Sequence, residues 1–95
     1  MALEQRYNLE DLTNDSERLV FDELERQLDQ AGDDICRSVD CVLDMAAYAL
    51  NRVRPKYRAN LLGRLYAHAE DEERIAEVRE AVREAILRVS ENPPD

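Results

Sequence analysis

The chain has 95 residues, of which 13 are Lys or Arg and 22 are Asp or Glu, so its formal net charge is −9 at pH 7. This length predicts a single domain over residues 1–95, with a core from about residue 14 to residue 90 and mobile tails at 1–12 and 91–95. The acidic balance argues against binding of DNA or RNA, because polyphosphate repels an acidic surface. The longest apolar run has six residues, and the N-terminus lacks a signal-peptide pattern. The chain is therefore expected to be soluble and cytoplasmic, without membrane insertion.

The first and last helices are predicted from apolar residues at intervals of three and four. The first runs from about Asp15 to Ala31, with Asn14 as its N-cap and Gly32 as a stop in the left-handed conformation. The last runs from about Asp71 to Val89, and acidic residues crowd its first turn, where the helix dipole favours them. Its apolar stripe consists of Ile75, Val78, Val82, Ile86 and Val89.

A helix between these two is predicted from about Val39 to Asn51. Ser38 is expected to cap its N-terminus, and Asn51 its C-terminus in left-handed geometry. Pro55 cannot continue this helix, because it has no N–H to donate. The face expected to be buried consists of Val39, Val42, Leu43, Ala46, Ala47 and Leu50.

The stretch from Pro55 to Ala69 leaves two interpretations open. It contains either two short extended pieces around a turn or a third helix broken by Gly63. The predicted fold is therefore mainly α, a small bundle of three to four helices with a short extended or hairpin segment near residues 55–69. A chain of this size buries a limited core, so oligomerisation, a metal or a ligand would each help to stabilise the bundle.

Basic residues are segregated within this acidic chain. No acidic residue lies between Asp44 and Glu70, although five of the 13 cations do. Arginine suits phosphate because its planar fork donates two parallel hydrogen bonds, and tyrosine can stack on a base. The window therefore indicates an anion site, although a solvated face paired with acids elsewhere would have the same composition. The polar and aromatic residues of this window are Arg52, Arg54, Lys56, Arg58 and Arg64, with Tyr48, Tyr57, Tyr66 and His68.

The two cysteines, Cys36 and Cys41, are too far apart for a CxxC redox motif. In a chain without a secretory signal, a disulfide is not the default. Thiolates bind zinc, but a structural site needs four ligands, and these two cysteines with the distant His68 make a poor set within one chain. The favoured interpretation is two small thiols that face the core, and zinc ligation is the alternative.

Catalytic chemistry is not indicated by the sequence. Two glycines do not make a glycine-rich phosphate loop, and a single histidine with a few serines does not suggest a hydrolytic triad. The abundant carboxylates fall on the polar faces of predicted helices. The protein is therefore expected not to be an enzyme.

The block from the cysteines to the tyrosines resembles the ComFB family, small bacterial proteins named for late competence development. The family pattern is a Cys-x-Cys-x-x-Cys cluster, then Asp, an Ala-rich helix that ends in Ala-Leu-Asn, and a basic residue, Pro and Tyr. The resemblance extends from Asn14 to Tyr66, and Ser38 stands where the family has its middle cysteine. The matching residues of the block are Cys36, Cys41, Asp44, Ala46, Ala49, Leu50, Asn51, Arg52, Pro55, Lys56 and Tyr57.

The resemblance implies a mostly helical, dimeric, cytoplasmic regulatory protein, since ComFB-like proteins are described as receptors for cyclic dinucleotide second messengers. Cyclic di-GMP is the favoured ligand and cyclic di-AMP the alternative, and an unknown protein effector would receive the signal. The residues expected to contact the nucleotide are Arg52, Arg54, Lys56, Tyr57, Arg58, Arg64 and Tyr66.

The resemblance also bears on zinc, because some family members look like zinc proteins. The loss of a thiolate at Ser38 weakens that assignment, so no cofactor is required. Cys36 and Cys41 are the candidate ligands if zinc is bound. The alternative function is a dimeric structural or interaction module, with or without zinc, that has no nucleotide ligand.

Overall fold

The computed structural model of the chain describes residues 2–59 and 72–94. Its described part is mainly helical, as predicted, and each α-helix lies within two residues of its expected bounds. The three described α-helices are α1 (Asp15–Gln30), α2 (Val39–Arg52) and α3 (Glu72–Glu91). None of the described helices is both long enough and apolar enough to cross a membrane.

The extended structure consists of two short strands that are far apart in the sequence. Strand β1 (Thr13–Asn14) pairs antiparallel with β2 (Tyr57–Arg58), and Asn14 lies opposite Tyr57. The expected extended piece near Tyr57 is therefore present, and its partner is the residue pair before α1. The hairpin alternative also required Arg64 to Ala67, which lie outside the described residues. Two short 3-10 helices, Leu3–Gln5 and Leu9–Asp11, precede β1.

The predicted N-caps of α1 and α2 are confirmed. Asn14 Oδ1 accepts a hydrogen bond from the Ser16 N–H at 3.1 Å, and Ser38 Oγ accepts one from the Cys41 N–H at 3.1 Å. Each side chain satisfies a backbone donor that has no partner inside the first turn of its helix.

The predicted left-handed C-caps are wrong. Ala31 follows α1 in an extended conformation, and among the described residues no glycine has a positive φ, so Gly32 is not left-handed. Asn51 lies inside α2, which continues to Arg52 and is followed by Val53 in an extended conformation.

The C-terminus of α1 is capped by a side chain from the following loop. The Arg37 guanidinium donates to the carbonyl oxygens of Leu28 at 2.7 Å, Ala31 at 3.1 Å, Gly32 at 3.0 Å and Ile35 at 3.0 Å. The Leu28 carbonyl belongs to the last turn of α1 and the other three follow it, in a region where positive charge is favoured. A glycine in the left-handed conformation is therefore not needed.

The core lies where α3 packs against both other helices, most extensively against α2. The stripe predicted for α3 is confirmed at four of its positions, and Ala81 and Ala85 extend it, whereas Ile75 is partly exposed. The buried apolar side chains are Val20, Leu24, Cys41, Met45, Ala49, Val53, Val78, Ala81, Val82, Ala85, Ile86 and Val89.

The face predicted for α2 is wrong for half of its residues, because Val42, Ala46 and Leu50 pack against the core but Val39, Leu43 and Ala47 are exposed. The helix buries Cys41, Met45 and Ala49, while Val39 is 75% exposed and Leu43 is 61% exposed. The apolar residues of α2 lie on several sides of the helix, so their spacing did not indicate a single buried face. The residues of the predicted face are partly or wholly exposed, and none of them is fully buried.

Candidate functional site

Four of the five cations predicted to bind nucleotide lie at the C-terminal end of α2 and in the chain segment that follows it. We call residues 52–58 the basic segment, since it carries Arg52, Arg54, Lys56 and Arg58. The segment leaves the helix at Val53, which is 4% exposed and anchors the chain in the core. After this anchor the backbone runs past the N-terminus of α1 and pairs with β1.

The N-terminus of α1 holds the backbone of the basic segment. Asn14 Oδ1, which caps α1, also accepts a hydrogen bond from the Lys56 N–H at 2.8 Å. The Asp15 N–H in turn donates to the Lys56 carbonyl oxygen at 2.7 Å. Asn14 therefore satisfies a helix donor and a segment donor together, and it joins two parts of the chain that are 42 residues apart.

A buried polar cluster fixes the start of the same segment. Ser16 is 1% exposed and Arg74 is 7% exposed, and both meet at the carbonyl oxygen of Arg54. Ser16 Oγ donates to this oxygen at 2.6 Å, and Arg74 Nη2 donates to it at 3.1 Å and also to Ser16 Oγ. Residues of α1, α3 and the basic segment are thereby joined inside the protein, where such bonds hold a single arrangement.

The carboxylate of Glu77 in α3 is bound by the side chain and the backbone N–H of Arg54. The Arg54 guanidinium donates to Glu77 Oε2 from Nη2 at 3.1 Å and from Nε at 3.3 Å, and the Arg54 N–H donates to Oε1 at 3.1 Å. Partial burial alone would raise the pKa of Glu77, but the hydrogen bonds from Arg54 and the charges of Arg54 and Arg74 outweigh it. The pKa of this carboxyl is therefore lowered, and Glu77 is an anion at neutral pH.

A second carboxylate of α3 is placed similarly beside Arg52. Arg52 Nη1 lies 3.7 Å from Glu84 Oε1, and the Arg52 guanidinium lies 4.5 Å from the centre of the Tyr48 ring. The Tyr48 hydroxyl donates to the same Glu84 oxygen at 3.0 Å. Arg52 therefore lies beside a carboxylate and over an aromatic ring. The distance to the ring is within the range of a cation–π contact.

Five of the seven residues predicted for the site lie in the basic segment. Lys56 is half-buried, Tyr57 is 61% exposed, and Arg58 lies beside it in β2. Arg64 and Tyr66 lie outside the described residues. Arg54 and Tyr57 are therefore both open to solvent within four residues of chain.

Sequence reasoning missed Ser16 and Arg74, although the spacing of the helices contains a signal for both. Ser16 precedes Val20 and Leu24 at intervals of four, and Arg74 precedes Val78 in the same way, so both polar residues stand on buried stripes. A polar residue at a core position must find hydrogen-bond partners. The identity of the partner, a carbonyl of the basic segment, is set by the tertiary fold.

The cysteines form a disulfide in the structure, which the sequence analysis did not favour. Cys36 and Cys41 are bonded through their sulfur atoms, and no free cysteine is present. A disulfide sulfur is not a thiolate, so the pair does not fit a zinc ion in this form. In the described part of the chain, no group of three or more His, Cys, Asp or Glu residues could hold a metal.

Comparison with known proteins agrees with this small helical fold. The family model described as "Late competence development protein ComFB" matches residues 13–93. The solved structure of the late competence protein ComFB from Bacillus subtilis is similar with a TM-score of 0.72 and 30% sequence identity, over 88% of this chain and 93% of that chain. A search of curated proteins gave no match.

The fold and the two matches place the chain among small, mainly helical proteins that are described as late competence proteins. The family match covers most of the chain, so the chain belongs to the ComFB family.

Proposed function

We propose that this protein is a cytoplasmic, non-enzymatic receptor for a cyclic dinucleotide, with cyclic di-GMP as the favoured ligand, and that it relays the signal to a protein effector. Cyclic di-AMP is the alternative ligand. The basic segment is the proposed binding site, with Arg52, Arg54, Lys56 and Arg58 facing phosphate or purine edges and Tyr57 stacking on a base. Arg64 and Tyr66 belong to the same proposal by their sequence position.

The observation that carries the proposal is the anion position at Arg54. A guanidinium fork and a backbone N–H converge on one carboxylate there, and a phosphate group uses the same donors. Arg54 has a side-chain exposure of 69%, so a ligand in solvent can reach it. Tyr57, three residues further along the chain, is exposed, and stacking on a base is worth about 1–3 kcal/mol per base.

The test is isothermal titration of the wild type and of Arg54→Ala and Lys56→Ala with both nucleotides. Loss of a charge-assisted bond should weaken binding about ten-fold or more in each variant. Arg83→Ala is the matched control, because Arg83 is an exposed arginine of α3 that pairs with Glu80. Affinity that is unchanged in Arg54→Ala and Lys56→Ala would remove these residues from the site.

A second candidate function is a homodimeric interaction module that binds no nucleotide. It is favoured by the apolar face that α1 and α2 leave exposed, on which Phe21 is 45% exposed and Leu43 is 61% exposed. These residues border a cleft of about 450 Å³ between the two helices. A second copy of the chain is the proposed occupant, because a two-fold dimer places the same face of each copy together and adds burial to a small core.

The dimer is tested by light scattering after size-exclusion chromatography. The wild type should have twice the mass of one chain, and Leu43→Glu should have the mass of one chain. Leu87→Glu is the control, because Leu87 is an exposed leucine of α3. A wild-type protein with the mass of a single chain would contradict the dimer.

Zinc binding by Cys36 and Cys41 remains a proposal for the reduced chain alone. Metal analysis of the reduced protein, purified without a histidine tag, tests it. Less than about half a zinc ion per chain, with folding unaffected by a chelator, would count against it.

A further inference from the structure

Two carboxylates of α3 lie on the cations that the proposed function requires. Glu77 accepts hydrogen bonds from the guanidinium and the N–H of Arg54, and Glu84 lies 3.7 Å from Arg52. The two glutamates are seven residues apart on one helix, which is about two helical turns, so they lie on the same side of α3. That side therefore places two negative charges next to the basic segment.

The contacts of Glu77 resemble those of a bound phosphate, whereas Glu84 Oε1 is an ion-pair partner that lies 3.7 Å from Arg52 and 3.9 Å from Arg88. An arginine donates to carboxylate and to phosphate with the same planar fork, and it cannot give both anions the same hydrogen bonds at once. Glu77 is held as an anion, because the hydrogen bonds and charges that lower its pKa outweigh its partial burial. Its carboxylate therefore competes with an incoming phosphate at neutral pH.

We infer that Glu77 and Glu84 are internal competitors of the ligand, and that nucleotide binding exchanges carboxylate for phosphate on Arg54 and Arg52. This inference rests on the proposed function. It makes the contact between α3 and the basic segment dependent on the ligand.

The same ion pairs orient the two arginines when no ligand is bound. Arg54 is oriented by Glu77, and Arg52 is oriented by Glu84 together with the Tyr48 ring at 4.5 Å. Oriented cations lose less conformational freedom on binding than mobile ones. The same carboxylates lower the affinity, because their ion pairs must open before phosphate can take their position.

The test compares the affinities of the wild type, Glu77→Gln, Glu84→Gln and Glu80→Gln for cyclic di-GMP and cyclic di-AMP. Glutamine keeps the size and an acceptor oxygen of glutamate but removes the competing charge. Glu80→Gln is the matched control, because it removes one negative charge from the same helix at a residue that pairs with Arg83. It therefore corrects for the general effect of a less acidic protein.

We expect Glu77→Gln and Glu84→Gln each to bind about two- to five-fold more tightly than the Glu80→Gln control, as loss of a partly exposed ion pair predicts. Thermal melts followed by circular dichroism check that each variant is folded. The affinities of Glu77→Gln and Glu84→Gln test the inference independently of each other. Wild-type binding with equal or weaker affinity in both variants would overturn the inference and leave the proposed function standing. No binding by the wild type or any variant would overturn the proposed function and the inference together.

Discussion

At the scale of single residues, Ser16 connects the helix that it begins to the segment that carries the cations. Its hydroxyl donates to the Arg54 carbonyl oxygen at 2.6 Å in a partly buried bond and accepts a buried hydrogen bond from Arg74. A bond in such surroundings is hard to replace, because a truncated partner leaves buried polar groups without compensation. Ser16 therefore positions the basic segment without touching the proposed ligand.

Replacing this hydroxyl should lower stability measurably. Ser16→Ala is expected to cost about 1–3 kcal/mol in the free energy of unfolding, measured by urea denaturation. Ser90→Ala is the control, because the Ser90 hydroxyl is buried but has no hydrogen-bond partner among the described residues. The control should change stability by less than about 0.5 kcal/mol. Equal effects of the two substitutions would show that the Ser16 contacts contribute nothing specific.

The carboxyl of Glu77 gives the protein a predictable dependence on pH. Its pKa is lowered from the usual 4.5, so in the folded protein it stays ionised at a pH where the unfolded chain already binds a proton. Ionised Glu77 therefore stabilises the fold above pH 4.5, and this contribution is lost as the pH falls through the lower, folded pKa.

The measurement is the difference in unfolding free energy between the wild type and Glu77→Gln as a function of pH. It should be constant above about pH 5 and shrink below that value. In an Arg54→Ala background the same difference should depend on pH much less, because the main partner of Glu77 is gone. A difference that is independent of pH in the wild-type background would contradict the ion pair.

At the scale of elements, α1 illustrates what local patterns can and cannot predict. Its start follows from Asn14, and its length follows from apolar spacing, since both depend on neighbours in the sequence. Its C-terminal cap could not be predicted in this way, because Arg37 lies outside the helix and reaches back over up to nine residues. The buried face of α2 was missed in part for another reason: apolar residues lie on several sides of the helix, so the packing of α3 decides which of them are fully buried.

Removing the Arg37 cap should destabilise the protein. Arg37→Ala is expected to lower the free energy of unfolding by about 1–2 kcal/mol, because carbonyls at the end of α1 lose a charged donor. Arg18→Ala is the control, since Arg18 makes one exposed ion pair with Asp22 at 3.7 Å, and its effect should stay within about 0.5 kcal/mol. A loss for Arg37→Ala no larger than that for Arg18→Ala would contradict the capping role.

At the scale of the whole molecule, the candidate site is assembled from parts that are distant in the sequence. Charge segregation predicted which segment carries the cations, because the acidic residues of the chain avoid it. The contacts of that segment with Asn14, Ser16, Glu77 and Glu84 could not be predicted, since they join residues 23 to 42 positions apart. Only the packing of α3 against α1 and α2 brings these groups together.

The central claim, that the basic segment binds a cyclic dinucleotide, is tested most directly by mapping amide chemical shifts in isotope-labelled protein. Cyclic di-GMP is titrated first and cyclic di-AMP in parallel. The account predicts the largest changes at residues 52–58, with smaller changes at Asn14, Ser16, Glu77 and Glu84. No change with either nucleotide, or changes concentrated around Phe21 and Leu43, would contradict it.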